Sequence, residues 1–300
     1  MKVDPRHLEQ IAAVVEHGTL QEAAKRLGTS QPALSRMISL VEQRIGSELF
    51  KRDSRPLAPT EICKALAKHG RSIATARDRA MEDIRLDRSG IIGELRIGAP
   101  PFLCERLVED AIAAFISERP GIHVKLAAEY FPSLEDRLIT NQVDLVICPL
   151  RLLAAPKIEL NIEKLFEDDH VVVGRKDHPL AKCAEISARD LEAATWISHA
   201  EISMLRNDMS TALTSYGVQN LNIAFQSGSA GAIFELLRKS DFLTVMPRYA
   251  IRSGPANQDL CALPLKLETT PMTVGVVSPR NNTRSRLQRS FETHLRTLSG

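Results

Sequence analysis

Apolar residues recur at three- and four-residue spacing over most of the first 88 positions. Beyond that point they form short runs separated by helical stretches. In residues 4–17, Leu8, Ile11, Val14 and Val15 share one inner face, and Gly18 ends the helix. Residues 20–27 predict a second, shorter helix, with Thr19 as its cap and Gly28 free to take the left-handed conformation of a sharp turn. A third helix opens at Ser30-Gln31-Pro32. Ser30 can accept from the first free backbone N–H groups, and Pro32 sits in the first turn, where no donor is lost. Behind this start Leu34, Met37, Ile38, Val41 and Ile45 form a buried face, and Gln31, Ser35, Arg36, Ser39 and Gln43 take the opposite one.

Gly46 interrupts the pattern, and residues 47–59 predict a short strand-and-turn segment. Its cations Lys51, Arg52 and Arg55 lie on a loop stiffened by Pro56 and Pro59 and anchored by Leu49, Phe50 and Leu57. Thr60 then caps a long helix running to about Arg88. Along it Ile62, Leu66, His69, Ile73, Ala76, Ala80 and Ile84 recur close to a heptad seam among charged positions. A helix with so narrow an apolar stripe must pair with a second copy or lie against the rest of the chain.

Past a Ser89-Gly90 linker, strands at 94–100, 122–128 and 143–149 alternate with helices at 103–117 and 133–140. A second group alternates strands at 170–175, 195–199, 221–227 and 242–247 with helices at 202–216 and 230–238. A strand at 272–279 and a helix near 284–298 follow. The alternation predicts parallel sheets with crossover helices, in two α/β lobes joined by crossings near 165–169 and 266–271.

Three hundred residues suffice for two or three domains, and 44% hydrophobic with 25% charged residues is ordinary for a soluble globular protein. No apolar run approaches the ~20 residues of a membrane span, and the first residues lack the apolar core of a signal peptide, so the expected location is the cytoplasm, with no membrane partner. The five cysteines, Cys63, Cys104, Cys148, Cys183 and Cys261, have neither metal-ligand nor redox-motif spacing and read as small buried hydrophobes. Charge sharpens the picture. Residues 1–90 carry 16 Lys and Arg against 12 Asp and Glu, and the remainder 23 against 25. The basic excess lies with the first helices, as phosphate binding requires, and its modest size implies two copies acting on one DNA.

A helix, a glycine turn and a capped helix with a polar leading edge make a helix-turn-helix. Gln pairs bidentately with adenine, and Arg with guanine or phosphate. The candidate DNA-binding residues are therefore Ser30, Gln31, Pro32, Ser35 and Arg36 on the third helix, with Lys51, Arg52 and Arg55 on a wing against the minor groove. No nucleophile with a base, paired carboxylates or metal-ligand set stands out. No enzyme, metal or cofactor is expected; Asp168-Asp169-His170 reads as a charged hinge and Asp177-His178-Pro179 as a turn.

The stretch GTLQEAAKRLGTSQPALSRMISLVEQRIGSELFKR, residues 18–52, resembles the winged DNA-binding segment of LysR-type transcriptional regulators. It carries A-A-x-x-L at 23–27, S-Q-P-A-L-S at 30–35 and L-F-x-R at 49–52. One departure follows the wing: Thr60-Glu61-Ile62-Cys63 stands where members continue Thr-Glu-Ala-Gly. The resemblance implies an N-terminal all-α winged helix-turn-helix domain (1–60), a linker helix that pairs two copies (61–88), and an α/β periplasmic-binding-protein-like effector domain of two lobes (91–300). Lobe 1 would hold about 91–165 plus 270–300, and lobe 2 about 166–269. It further implies a regulator modulated by a small-molecule effector, binding paired half-sites on double-stranded DNA as a homodimer or homotetramer, with RNA polymerase as a candidate partner.

In open α/β sheets, ligands bind beyond the carboxyl ends of strands, where helix N-termini offer donors to anions. By that rule the effector cleft is lined by Pro100, Pro101 and Phe102 after the first strand, Phe131, Pro132 and Ser133 after the second, and Pro149 after the third. The second lobe adds His199, Ser203, Ser227, Ser229 and Pro247. Many LysR-type relatives hold an effector carboxylate with a Ser or Thr in the first of these loops, whereas this chain has Pro-Pro-Phe, which points to a more apolar or aromatic effector. Two alternatives stand beside this reading: a regulator responding to oxidation through Cys104, Cys148 and nearby methionines, and a constitutive DNA-binding protein whose lobes only assemble it.

Overall fold

Each of the first three helices starts at a capping side chain and stops at a glycine. α1 (Pro5–His17) follows Asp4, which accepts from the Arg6 N–H at 2.9 Å. α2 (Leu20–Leu27) follows Thr19, and α3 (Gln31–Ile45) follows Ser30, which accepts from the Ala33 N–H at 3.3 Å. The turn between α2 and α3 needs Gly28, whose φ of 63° is costly for any residue with a Cβ. Ile11, Val14, Ala23, Leu34, Val41 and Leu49 form the core of these helices. The short strands β1 (Phe50–Lys51) and β2 (Ala58–Pro59) pair antiparallel, Phe50 opposite Pro59, as the base of a wing. The structure is a computed structural model; it describes residues 3–51, 57–89, 93–153, 155–251, 259–280 and 284–299. The wing cations Arg52 and Arg55, Pro56, and Gly90 of the linker lie outside the described residues.

Thr60 caps α4 (Glu61–Ser89) as expected, accepting from the Cys63 N–H at 3.3 Å while its hydroxyl reaches the Leu49 carbonyl. The expected stripe is only half of what α4 presents. Buried Cys63, Ala67 and Gly70 lie against α1, one position round from the seam, whereas Ile62, His69, Ala76, Ala80 and Ile84 are exposed and Leu66 and Ile73 half-buried. The α1-facing stripe escaped the pattern because its residues are small.

The chain folds as two compact units: residues 1–93, with which the segment 139–142 groups, and 94–138 with 143–300. The second unit opens with β3 (Gly93–Ala99). α5 (Pro101–Leu103) runs through a π-turn at Cys104–Val108 into α6 (Glu109–Ser117). β4 (Ile122–Ala128), α7 (Ser133–Ile139), β5 (Leu145–Pro149), β6 (Leu160–Asp168) and β7 (His170–Arg175) follow. Next come α8 (Ala188–Ala193), β8 (Thr195–His199), α9 (Met204–Ser215), β9 (Asn222–Ser227), α10 (Ala230–Lys239) and β10 (Phe242–Pro247). β11 (Leu260–Ala262), β12 (Met272–Pro279) and α11 (Arg286–Ser299) complete it. Two five-stranded sheets result, ordered β4-β3-β5-β12-β6 and β11-β7-β10-β8-β9. Among the described residues no helix is long and apolar enough to cross a membrane.

Both sheets are mixed rather than parallel. β3–β5, β10–β8 and β8–β9 run parallel, but β12 is antiparallel to β5 and β6, and β7 to β10. β6, β7 and β12 flank the crossings, and a chain passing between lobes enters each sheet against the direction of its βαβ strands. The first crossing narrows to Asp169, with β6 ending at Asp168 and β7 starting at His170. Pro100 and Pro101 are not loop residues: Pro100 is the N-cap and Pro101 the first residue of α5, where its fixed φ and missing donor cost nothing.

Candidate functional site

The face of α3 away from the core is open. Leu34 and Val41 are 1% exposed, whereas Gln31, Pro32, Ser35, Arg36, Ser39 and Gln43 are all exposed, so the cap and period that bury one side leave a polar leading edge on the other. Ser30 is exposed at the cap, its oxygen engaged by the Ala33 N–H. Lys51 lies exposed on β1, and Leu49 is anchored from behind, its N–H donating to Glu42 Oε1 at 2.7 Å.

The second candidate is a narrow cavity between the two lobes of the second unit. Lobe 1 supplies Phe102 and Tyr130. Lobe 2 supplies His199, Ser203, Leu205, Ser227, Gly228, Ala230, Ile233, Phe234, Met246, Pro247 and Ala250. A mostly apolar wall with a few convergent polar groups is what small-molecule sites share. Tyr130 bridges the lobes, donating to the Gly228 carbonyl at 3.2 Å and meeting Ser203. Tyr249, buried, donates to the Phe102 carbonyl at 2.7 Å, and its N–H binds Asp168 Oδ2 at 2.8 Å, so one residue ties the α5 start to the crossing.

His199 is 6% exposed and its Nε2 lies 2.8 Å from the Val245 carbonyl. Burial pushes its pKa below the ordinary imidazole value, so the ring is neutral, with Nε2–H donating and Nδ1 left as an acceptor. Nearby, Asp208 on α9 faces buried His170 at 3.1 Å and pairs with Arg151 of lobe 1. Burial pushes the Asp208 carboxyl up, but His170 and Arg151 outweigh it and hold it below its usual value. Glu105, on the π-turn, receives the Gly231 N–H at the start of α10. Burial and then Glu109 raise its pKa.

The positions expected at the cleft divide. Phe102, His199, Ser203, Ser227 and Pro247 stand on the cavity wall. Pro100, Pro101 and Pro149 do not, being spent on helix initiation and strand end. Phe131 turns into the core under α7, Pro132 and Ser133 are exposed, and Ser133 binds Glu129. Ser229 caps α10, accepting from the Ala232 N–H at 3.3 Å. Tyr130 was missed because its reach across to lobe 2 leaves no trace in local periodicity.

Redox chemistry finds little support among the buried thiols. Burial pushes Cys104 and Cys148 up to about 12, Glu109 and Glu105 adding to Cys104, and burial with Glu42 does the same for Cys63. Reactive cysteines need a lowered pKa and access. Among the described residues no group of His, Cys, Asp and Glu has a metal-binding arrangement.

Two family models match: "Bacterial regulatory helix-turn-helix protein, lysR family" over residues 5–64, and "LysR substrate binding domain" over residues 88–299. Among curated proteins, the SDS degradation transcriptional activation protein of Pseudomonas sp. (strain ATCC 19151) is 30% identical over 253 residues, 81% of this chain and 79% of that protein. The transcriptional activator protein LysR of Escherichia coli (strain K12) is 26% identical over 98% of this chain and 92% of its own length. Among solved structures, full-length CbnR complexed with its target DNA superimposes with a TM-score of 0.65 at 19% identity, covering 98% of this chain and 99% of that one.

Proposed function

The chain belongs to the LysR family of bacterial transcriptional regulators, and we propose that it reads DNA with α3 as a homodimer and responds to a small molecule held between its two lobes. It is a DNA-binding regulator with a helix-turn-helix domain and an effector-binding domain. In this reading Gln31, Ser35 and Arg36 meet base edges in the major groove, Ser30 and Pro32 set the start of the helix against the backbone, and Lys51, Arg52 and Arg55 hold phosphates or the minor groove. The observation that carries it is the open Gln31-Ser35-Arg36 face backed by buried Leu34, Met37 and Ile38.

The domains divide at 1–60, 61–88 and 91–300. The exposed Ile62, Ala76, Ala80 and Ile84 of α4 support pairing with a second copy, since an apolar edge on a 29-residue helix is stable only when covered. Two such dimers form a tetramer on paired half-sites in the bacterial cytoplasm, where RNA polymerase is the next partner. The effector, apolar or aromatic, biases two arrangements of the dimers through unequal affinity for them. No enzymatic step belongs to this reading.

Selection of bound sequences from random duplex DNA by the purified full chain tests it. The expected result is enrichment of two half-sites about one helical turn (~34 Å) apart. Recovery of a single half-site, or no enrichment over input, contradicts dimeric reading by α3.

A further inference from the structure

Three helix starts converge on the cleft, and some of the backbone donors that would meet an anion there are spent, with the Phe102, Met204 and Ala230 N–H groups left open among the described residues. At α5, Pro101 has no N–H, and Leu103 and Cys104 donate to the Pro100 carbonyl at 2.9 and 3.3 Å. At α9, the Leu205 N–H is taken by Ser203 Oγ at 3.3 Å and the Arg206 N–H by the Ser203 carbonyl at 3.2 Å. At α10, Ser227 Oγ takes the Ser229 N–H at 3.0 Å, and Ser229 Oγ takes that of Ala232. The Gly231 N–H goes to Glu105, a carboxylate the chain supplies from the other lobe. Gly231 permits this approach: a Cβ there would stand 3.3 Å from Glu105 Oε1.

Charge points the same way. No Lys or Arg stands among the described residues of the cavity wall, and the nearby Arg238 is paired with Glu235 at 2.8 Å. The polar side chains that remain suit an uncharged hydroxyl or amine, which both donates and accepts: His199 offers Nδ1 as an acceptor, and the Ser203 and Ser227 hydroxyls on the same wall, their oxygens already taking backbone N–H groups, keep a hydrogen to donate.

We propose that Glu105 is a specificity-determining residue of the effector cleft: its carboxylate occupies the start of α10 where an acidic effector would dock, so the cleft takes an uncharged ring compound carrying an O–H or N–H donor and rejects the matching carboxylate. The proposal rests on the reading of the cleft as the effector site. Glu105 acts on ligand choice by filling the anion's place and by repelling a second negative charge.

Calorimetric titration of the full chain with 2-naphthol and 2-naphthoate tests it, in the wild type, Glu105→Ala and Glu105→Gln. The expected result is at least about tenfold tighter binding of naphthol by the wild type, and a gain of about tenfold or more for naphthoate in Glu105→Ala, which frees the Gly231 N–H and removes the charge. Glu105→Gln removes the charge but keeps an acceptor at Gly231, so its gain is smaller yet present, and it serves should the Ala variant fold poorly. Naphthoate binding the wild type as tightly as naphthol, or unmoved in both variants, overturns the proposal and leaves the cleft reading intact. Ala230→Trp, which fills the cavity, separates the two: ring binding that survives it, or no binding of either compound to any variant, overturns the cleft reading and the proposal together.

Discussion

Gly70 of α4 lies against the main chain of Leu8 in α1 so closely that a Cβ at position 70 would overlap the Leu8 carbonyl oxygen and stand 3.0 Å from the Ala12 Cβ. The long helix is thereby seated on the DNA-binding helices through a contact only glycine permits. Gly70→Ala must push α1 and α4 apart, and overpacking of this kind costs about 1–3 kcal/mol. Urea denaturation of the variant should show a lowered midpoint for the first unit with the second unchanged; an unaltered or raised midpoint would mean the helices adjust freely.

Tyr249→Phe removes the bond from the Tyr249 hydroxyl in lobe 2 to the Phe102 carbonyl in lobe 1. The carbonyl loses its buried partner, a loss of about 1–3 kcal/mol. The expected readouts are a lower melting temperature of the effector-binding unit and weaker effector binding, because the two lobes lose one of their ties. A variant that melts and binds like the wild type would show that this bond does not order the cleft.

How much of this was legible in the sequence follows from what makes each element. α1 to α3 could be read because their caps, glycine stops and apolar spacing all agree. The strand β6 could not. Lys164, Glu163 and Glu167 give it a polar reading, and its register on β12 slips at Val274/Gly275, passing over Leu165, so the alternation is broken where the strand bends. In the cleft, strand ends pointed to Phe102, His199 and Ser227, which stand on the cavity wall. Tyr130 and Glu105 reach across from one lobe to the other, to Gly228 and Gly231, and a local pattern carries no information about that.

His199 makes stability depend on pH with a definite sign. Its pKa is lowered in the folded state, so below about 6.5, the ordinary imidazole value, the unfolded chain binds a proton that the folded chain refuses. Stability is therefore full above that pH and declines as the pH falls through it. The charges of His170 and Asp208 also act on it, His170 disfavouring and Asp208 favouring the charged form. His199→Gln should flatten the pH dependence of the melting temperature between about pH 6.5 and 5. An unchanged slope would remove His199 from this role.

Cys63, Cys104 and Cys148 are buried with raised pKa values; Cys183 and Cys261 are half-buried, and burial raises Cys261 as well. A thiol-reactive dye applied to the native protein should label Cys183 and Cys261 first and reach the other three only on unfolding. Peroxide should leave DNA binding unchanged. Fast labelling of Cys104 or Cys148, with a change in DNA binding on oxidation, would favour the redox-responsive alternative.

If the open face of α3 reads DNA, exposed Arg36 is a side chain whose loss the DNA must register. The measurement is a titration of the selected duplex and of a scrambled duplex with the wild type and Arg36→Ala, at two salt concentrations. Losing a base contact should weaken the selected site by about 1–3 kcal/mol and narrow the gap to the scrambled one; losing a phosphate contact should weaken both alike and reduce the salt slope by about one. Either pattern places Arg36 at the DNA. Unchanged affinity for both duplexes, with the variant folded, would contradict this docking of α3.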